Sequence, residues 1–433
     1  MTARFRLAFR ALRHRDLRLF FAGQAVSLVG TWMQQVAMSW LVYRLTGSAL
    51  LLGVISFSSQ FPSFLMAPFA GALADRWSRY RMVVVAQTLS MIQATVLAVL
   101  VITDVVTVTH LIVLSVMIGL INGVDVPARQ ALMIRLVRGA DDLPNAIALN
   151  SSMFNAARLV GPALAGVLIG LVGEGPVFVL NAASYIAVLW ALAQLRVSRQ
   201  PGQPVGSVLR SMVEGFSYAV RSPPIRDLLI LLSGISLVGV PYVVLFPVFA
   251  RDVLGGGAGT LGLLTSSAGL GSLAGALALA SRSTVRGLGP VLAWGIVAFG
   301  ASLMGFAFSR TLPLSCALLV VSGFAMIVVT ASTNTILQTI VSEEMRGRIM
   351  SLYTMAFVGM TPLGGLAGGA IASRVGAPTA VVLGGAGCMA LAAWTFWRLP
   401  ALRSLIRPIY AELGIIPEVA TGLQSVSEMR PRA

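Results

Sequence analysis

Apolar runs of about twenty residues recur from one end of this chain to the other, and nothing constrains its fold more. A run of that length crosses the hydrocarbon core of a bilayer only as a helix, because a helix satisfies its backbone groups within one segment. Such runs fall at about 17–43, 49–74, 81–103, 109–131, 142–172, 176–196, 225–250, 259–281, 287–309, 312–340, 346–374 and 377–398. The implied fold class is all-α and integral to a membrane, with twelve transmembrane helices. Composition agrees: 57% of the 433 residues are hydrophobic and 11% charged, against roughly 45–50% and 25% in soluble domains. The basic segment Met1 to Arg18 leads into a span-length run without a small-residue cleavage site, so no cleavable signal peptide is expected.

A net charge of +16 in a soluble chain would suggest nucleic acid. Here membrane topology accounts for it, and no nucleic-acid partner is expected. All 31 basic residues are Arg. With the N-terminus in the cytoplasm, 26 of them fall on cytoplasmic segments, Arg44, Arg251, Arg310 and Arg374 fall outside, and Arg158 lies within a span. That bias places both termini in the cytoplasm of a multi-pass protein, in a bacterial inner membrane given the Ala-, Gly- and Arg-rich composition. Cys316 and Cys388 lie in apolar runs and His14 and His110 are far apart, so no disulfide framework, metal site or cofactor is expected. Paired acids, a Ser-His-Asp set and a phosphate-binding Gly loop are all missing, which argues against an enzyme.

The chain divides into a basic cytoplasmic arm (1–16), a six-helix bundle (17–196), a linker (197–224), a second six-helix bundle (225–398) and a cytoplasmic tail (399–433). The arm is read as lying on an anionic lipid surface. The linker breaks the apolar rhythm with Pro201, Gly202, Pro204 and Gly206, and its stretch Val208 to Val220 reads as a short interfacial helix with Leu209, Met212, Val213 and Phe216 on one side. Gly71-Ala72-Leu73-Ala74 returns as Gly275-Ala276-Leu277-Ala278, an offset of 204, and Gly161-Pro162-Ala163-Leu164-Ala165-Gly166 answers to Thr361-Pro362-Leu363-Gly364-Gly365-Leu366, an offset of 200. Nearly equal offsets indicate an internal duplication.

Between the second and third runs stands Gly71-Ala72-Leu73-Ala74-Asp75-Arg76-Trp77-Ser78-Arg79-Tyr80-Arg81. Its order of Gly, apolar residue, Asp, Arg and a further Arg resembles the loop between helices 2 and 3 of the major facilitator superfamily of secondary transporters. Ser78 and Tyr80 depart from that loop's usual Gly and basic residue. Three further stretches, Asp125 to Ala131, Asn145 to Ser151 and Asn155 to Pro162, together with Gly30-Thr31-Trp32-Met33-Gln34, look like the branch containing the enterobactin exporter, macrolide-type efflux proteins and a lysophospholipid transporter. The resemblance implies two pseudo-repeated six-helix bundles, and export of a bulky amphiphile such as a siderophore or drug by alternating access in exchange for protons. A lysophospholipid flippase of the same fold and a non-transporting scaffold or sensor are the alternatives. The partners so implied are the small-molecule substrate, protons and membrane lipids, with the protein a monomer. Span four lacks the mid-membrane Arg of many drug–proton antiporters.

The resemblance places a cytoplasmic gate at Gly71, Asp75, Arg76, Arg79, Asp125, Arg129, Gly347 and Arg348, with Asp75 meeting the N-terminal end of span eleven, where helix N–H groups favour an anion. Asp125 lies in an otherwise uncharged span, one helical turn before Arg129. It reads as part of that latch, as a proton carrier, or as an inert acid. Arg158 shares a helix face with Ser151 and Asn155, and reads either as a substrate-path residue that attracts an anionic group or as the partner of Asp125 across a helix interface. Gln24, Thr31 and Gln35 share a face of span one. With Gln60, Asn334, Gln338 and Tyr353 they are candidates to line a substrate cavity, or to bridge helices. Gly161, Pro162, Gly166 and Pro362 form a helix-packing motif, with Pro freeing a carbonyl and small residues admitting a close neighbour.

Overall fold

In the computed structural model the described residues are 9–137, 139–196, 208–282 and 284–412. Among them the chain is helical without strands. The helices are α1 (Arg15–Thr46), α2 (Ala49–Arg76), α3 (Arg79–Ile102), α4 (Val108–Leu136), α5 (Leu143–Val172) and α6 (Glu174–Ala193). The linker helix α7 (Val208–Arg221) leads to α8 (Pro223–Val238), α9 (Ala258–Ala280), α10 (Leu288–Phe308), α11 (Leu312–Ile340), α12 (Glu343–Thr354), α13 (Met360–Val375) and α14 (Ala377–Glu412). Among the described residues eleven spans are long and apolar enough to cross a membrane by length and composition. The expected first span, α1, is 32 residues long but is not among them. Gln24, Ser27, Thr31, Gln34, Gln35 and Ser39 dilute its apolar surface.

Local chemistry sets where the helices break. Gly47 ends α1 in the left-handed conformation (φ 60°), and Ser48 then caps α2 by accepting from Leu51 N at 3.3 Å. Ser78 does the same for α3 through Arg81 N. Thr107 opens α4 with a capping box in which His110 accepts from the Thr107 N–H, giving that histidine a local structural task. Two spans are not regular. After α8 the chain passes through a 3-10 segment containing Pro241 (Val240–Leu245) and a π turn (Phe249–Val253), and a second π turn (Met355–Gly359) separates α12 from α13.

The last helix overruns its expected end near residue 398 and continues through Pro400 and Pro408 to Glu412. Leu402 is buried there, and Ile406, Ile409 and Tyr410 pack against the core. Apolar residues at helical spacing beyond Pro400 hold the extension onto the bundle. Residues 413–433, like 1–8 and 197–207 with the linker's Pro and Gly residues, lie outside the described residues.

Before the linker, α1 packs on α6 and α5, α2 on α4, and α3 on α4 and α6. After it, the α8 span packs on α14 and α13, α9 on α11, and α10 on α11 and α14, so the same pairings recur at corresponding positions. The two sets meet along two seams, α5 with α9 and α2 with α13. Glycine makes the seams tight. A Cβ on Gly262 would lie 2.6 Å from Pro162 O, and one on Gly369 would lie 2.6 Å from Ala49 O. Both seams occupy the end of the molecule opposite the chain termini. Toward the terminal end, α12 packs on α7, and a Cβ on Gly347 would meet open space. The small residues at the seams let these helices approach closely.

Replacing Gly262 by Ala forces backbone against backbone and is expected to cost about 1–3 kcal/mol. Gly259→Ala, whose Cβ would lie 4.0 Å from Gly166 O, is the matched control. Thermal unfolding of the two variants in detergent should show a clear fall in Tm only for Gly262→Ala.

Candidate functional site

Buried polar side chains in an apolar bundle must find one another. In the first half they do so at two levels. Near the terminal end, Asp125 is 3% exposed. It pairs with Arg129 one turn on at 3.3 Å and accepts from Gln87 Nε2 at 2.9 Å, while Arg129 donates to Gln24 Oε1 at 2.8 Å. This network ties α1, α3 and α4 together. Deeper in, Asn181 Nδ2 donates to Gln34 Oε1 at 2.7 Å, Gln34 Nε2 donates to Gln93 Oε1 at 3.3 Å, and Gln93 Nε2 donates to Leu114 O at 3.3 Å, joining α1, α3, α4 and α6. Gln87, Gln93 and Asn181 are not among the residues that the sequence singles out, and Gln34 enters there only as part of the Gly30–Gln34 stretch. Each is an amide within an apolar run, a signal that was available, but its partner was not legible.

This geometry bears on two pairs of alternatives. Gln24 is 1% exposed and bound to Arg129, which matches the helix-bridging reading of that residue. The expected pairing of Arg158 with Asp125 does not form, because Arg129 is on the same helix, one turn away, and takes that carboxylate. Arg158 instead sits midway along α5 with its guanidinium 5.8 Å from the Trp32 ring centre, and Trp32 meets Phe154 edge-on at 5.7 Å. At this level α5 lies against α9, where a Cβ on Gly269 would lie 3.2 Å from Arg158 O, and among the described residues no carboxylate pairs with the guanidinium.

The remaining cavity candidates fall on α1, α2, α5, α11 and α12. Thr31, Gln35, Ser151 and Gln338 are exposed, and Asn155 is partly buried with its Nδ2 on Ser151 O at 2.8 Å. Gln60 is drawn back onto Ser56 Oγ at 2.9 Å, Gln338 donates to Asn334 at 2.6 Å, and the Tyr353 hydroxyl donates to Thr330 O at 3.1 Å. The packing motif is well placed. Gly161 faces Trp32 of α1, and Pro162 and Gly166 meet Gly262 of α9, while Pro362 is buried in α13 just after the π turn.

At the end opposite the termini, the Tyr43 hydroxyl of α1 donates to Asp252 of the second half, and Arg44 pairs with Glu174 at 2.7 Å. At the terminal end, the side chains of Gly71, Asp75 and Arg76 lie outside the described residues. Arg79 opens α3 and is partly buried. Arg348, expected to stand beside Asp75, pairs with Glu214 of the linker helix at 2.9 Å.

The second part of the basic arm is held against the bundle. Arg10–Arg13 form a 3-10 turn, and Arg10, Arg13 and His14 converge on Asp142 at 2.6, 2.7 and 2.8 Å. The His14 hydrogen bond, with the two guanidiniums behind it, holds the Asp142 carboxyl below the ordinary carboxylate range. Buried by this cluster, the carboxylate anchors the arm to the α4–α5 loop.

A sequence profile of the transmembrane secretion effector family matches residues 7–409. The chain belongs to that family, within the major facilitator superfamily, whose members are transporters and not enzymes. It is 26% identical to the staphyloferrin A transporter of Staphylococcus aureus over 358 residues, covering 81% of this chain and 87% of that one. It is also 26% identical to the multidrug efflux pump Tap of Mycolicibacterium fortuitum (80% and 87% covered) and 27% identical to the enterobactin exporter EntS of Escherichia coli (82% and 85%). Among solved structures, a bacterial homologue of the human lysosomal transporter Spinster, inward-facing and unoccupied, superposes with a TM-score of 0.68 at 15% identity, covering 91% of this chain and 98% of that one. The protein is therefore a multi-pass membrane transporter with siderophore and multidrug exporters as relatives.

Two outcomes follow from the polar clusters. Arg129→Gln strands a buried carboxylate and is expected to cost about 3 kcal/mol or more, whereas Asp125→Asn combined with Arg129→Gln recovers much of it; a double-mutant cycle on thermal unfolding reads this. Because Asp142 has a depressed folded-state pKa, its anchoring is present above the unfolded value and is lost as pH falls through the lower folded value. Asp142→Asn at neutral pH should likewise release the arm, seen as faster tryptic cleavage at Arg10 and Arg13.

Proposed function

We propose that this protein exports a bulky amphiphilic small molecule, a siderophore or drug, from the cytoplasm across a bacterial inner membrane by alternating access. The observation that carries the reading is Arg158. It is a charge midway along a span, set on Trp32 at the seam between the two halves, without an ion-pair partner among the described residues. A cation kept in hydrocarbon without a carboxylate partner is costly, and a substrate's anionic group would satisfy it. The exposed Thr31, Gln35, Ser151 and Gln338 cannot face lipid comfortably and so belong to the same aqueous path, with Asn155 beside Arg158. Siderophore and drug exporters among the relatives support this substrate class.

The recurring helix pairings support two pseudo-repeated halves of six spans each, with α1 as the twelfth span. Both termini are assigned to the cytoplasm by the arginine bias. The closed seams and the Tyr43–Asp252 contact then lie on the outer side. That arrangement is inward-open. In the outward-open state Asp75 of the Gly71–Arg81 loop would move onto the start of α12 near Gly347, and Arg348 would exchange its partners. Asp125, already held by Arg129 and Gln87, fits the bracing of that gate better than the carrying of a proton, while proton exchange remains the driving reaction proposed for the cycle. The protein is taken to work as a monomer.

The test is proteoliposomes holding the purified protein under an imposed pH gradient, challenged in turn with anionic siderophores, hydrophobic drugs and lysophospholipids. Substrate-triggered proton movement with one of the first two classes is the expected result. Its absence with both, alongside movement of labelled lysolipid, would overturn the reading in favour of a flippase. Arg158→Gln should weaken an anionic substrate by about tenfold or more, the scale of a lost charge-assisted contact, and affect a neutral drug much less.

A further inference from the structure

Away from the transport seams, the second half contains a cavity of about 400 Å3 at its terminal end. Its walls come from the start of α8, the first turns of α10 and the part of α14 that extends past residue 398. The interior is apolar, formed by Leu228, Leu231, Leu292, Trp394, Leu402 and Ile406. An apolar chamber of this kind favours hydrocarbon over water.

Its rim has the opposite character. Arg286, Arg403 and Arg407 all line the opening. Arg403 and Arg407 stand one turn apart on α14, exposed, on the helix side that also presents Leu399, Leu402, Ile406 and Tyr410 to the cavity. Arg398 is a different case. It is tied to the buried Asp227 at 2.6 Å, with Arg226 a further 3.4 Å partner of that carboxylate, so its charge is already balanced. The site therefore combines an alkyl-lined chamber with a pair of guanidiniums not matched by carboxylates among the described residues that line it.

We propose that this cavity binds an anionic phospholipid of the surrounding leaflet, with an acyl chain in the chamber and the phosphate on Arg403 and Arg407. Both halves of the ligand are called for. The chamber accepts alkyl chains of any lipid, whereas planar guanidiniums at the mouth select a phosphodiester that keeps a net negative charge. Basic pockets between membrane helices on the leaflet that carries the arginines are where such headgroups are held. The site is built by α8, α10 and α14 with Ile336 of α11, and not by the α2, α5, α9 and α13 helices of the seams, so the lipid is a resident of the second half and not cargo. The extension of α14 gains a reason: without residues 399–410 the chamber would have neither its outer wall nor its charged rim.

Delipidated protein in detergent, exposed to defined lipids and read by native mass spectrometry, tests this directly. Phosphatidylglycerol should be retained roughly tenfold better than phosphatidylcholine of the same acyl chains, since each arginine near a headgroup contributes a several-fold preference. Arg403→Ala with Arg407→Ala should erase that preference and leave weak retention of both lipids. Ile406→Trp, which fills the chamber without touching the charges, should displace both. Equal retention of the two lipids by the unaltered protein would overturn the proposal whatever the variants do. So would full competition by glycerol phosphate, which would mark a site for a soluble anion. Binding seen only after removal of residues 413–433 would also overturn it, because the chamber would then belong to the chain's own tail.

Discussion

A bilayer core offers no water to a polar group, and the structure follows from that single constraint. Backbone amides are satisfied by making the spans helical. Polar side chains have no such default, so each one inside the bundle must be matched by another. In the first half this requirement produces the Gln24–Arg129–Asp125–Gln87 network and the Asn181–Gln34–Gln93 chain. These contacts fix how α1, α3, α4 and α6 are turned relative to one another, because a rotated helix would leave an amide or a charge unmatched in hydrocarbon.

The second half reaches a fixed arrangement by different means. Its interior is held by aromatic packing: Tyr242 meets Phe246 and Phe299 edge-on, and Phe249 stacks on Phe306 at 4.4 Å. Tyr242 and the π turn lie in the broken span that follows α8, where Pro241 and Pro247 interrupt the regular hydrogen bonding. The two halves so differ in glue while sharing their pairings. Among the described residues the halves meet through small-residue seams, the Tyr43–Asp252 contact and the hydrogen bond that Ser266 Oγ donates to Leu159 O at 2.9 Å.

Interfaces of backbone against backbone, such as Gly262 on Pro162 and Gly369 on Ala49, suit a transporter. Close approach gives good dispersion contact while engaged, yet few side-chain bonds must break when the halves separate. At the terminal end Arg348 is engaged with the linker helix and Asp142 with the arm, so that linker and arm are fastened to the bundles.

Length and periodicity of the apolar runs determined that this chain is a bundle of membrane helices, and the Gly71–Arg81 loop with the stretches around Asp125 and Asn155 determined its family, because those signals are local and survive in one dimension. The closeness of Asp125 to Arg129 was legible for the same reason, as one helical turn. What lay beyond reach was every choice of partner between helices. Arg158 could not be told from the sequence to lie over Trp32 and not against Asp125, nor Arg348 to join Glu214, nor Arg403 and Arg407 to frame an apolar chamber. Those outcomes depend on the rotation and crossing of helices far apart in sequence. Tertiary packing alone decided them, since each polar group takes the partner that the surrounding hydrocarbon leaves within reach.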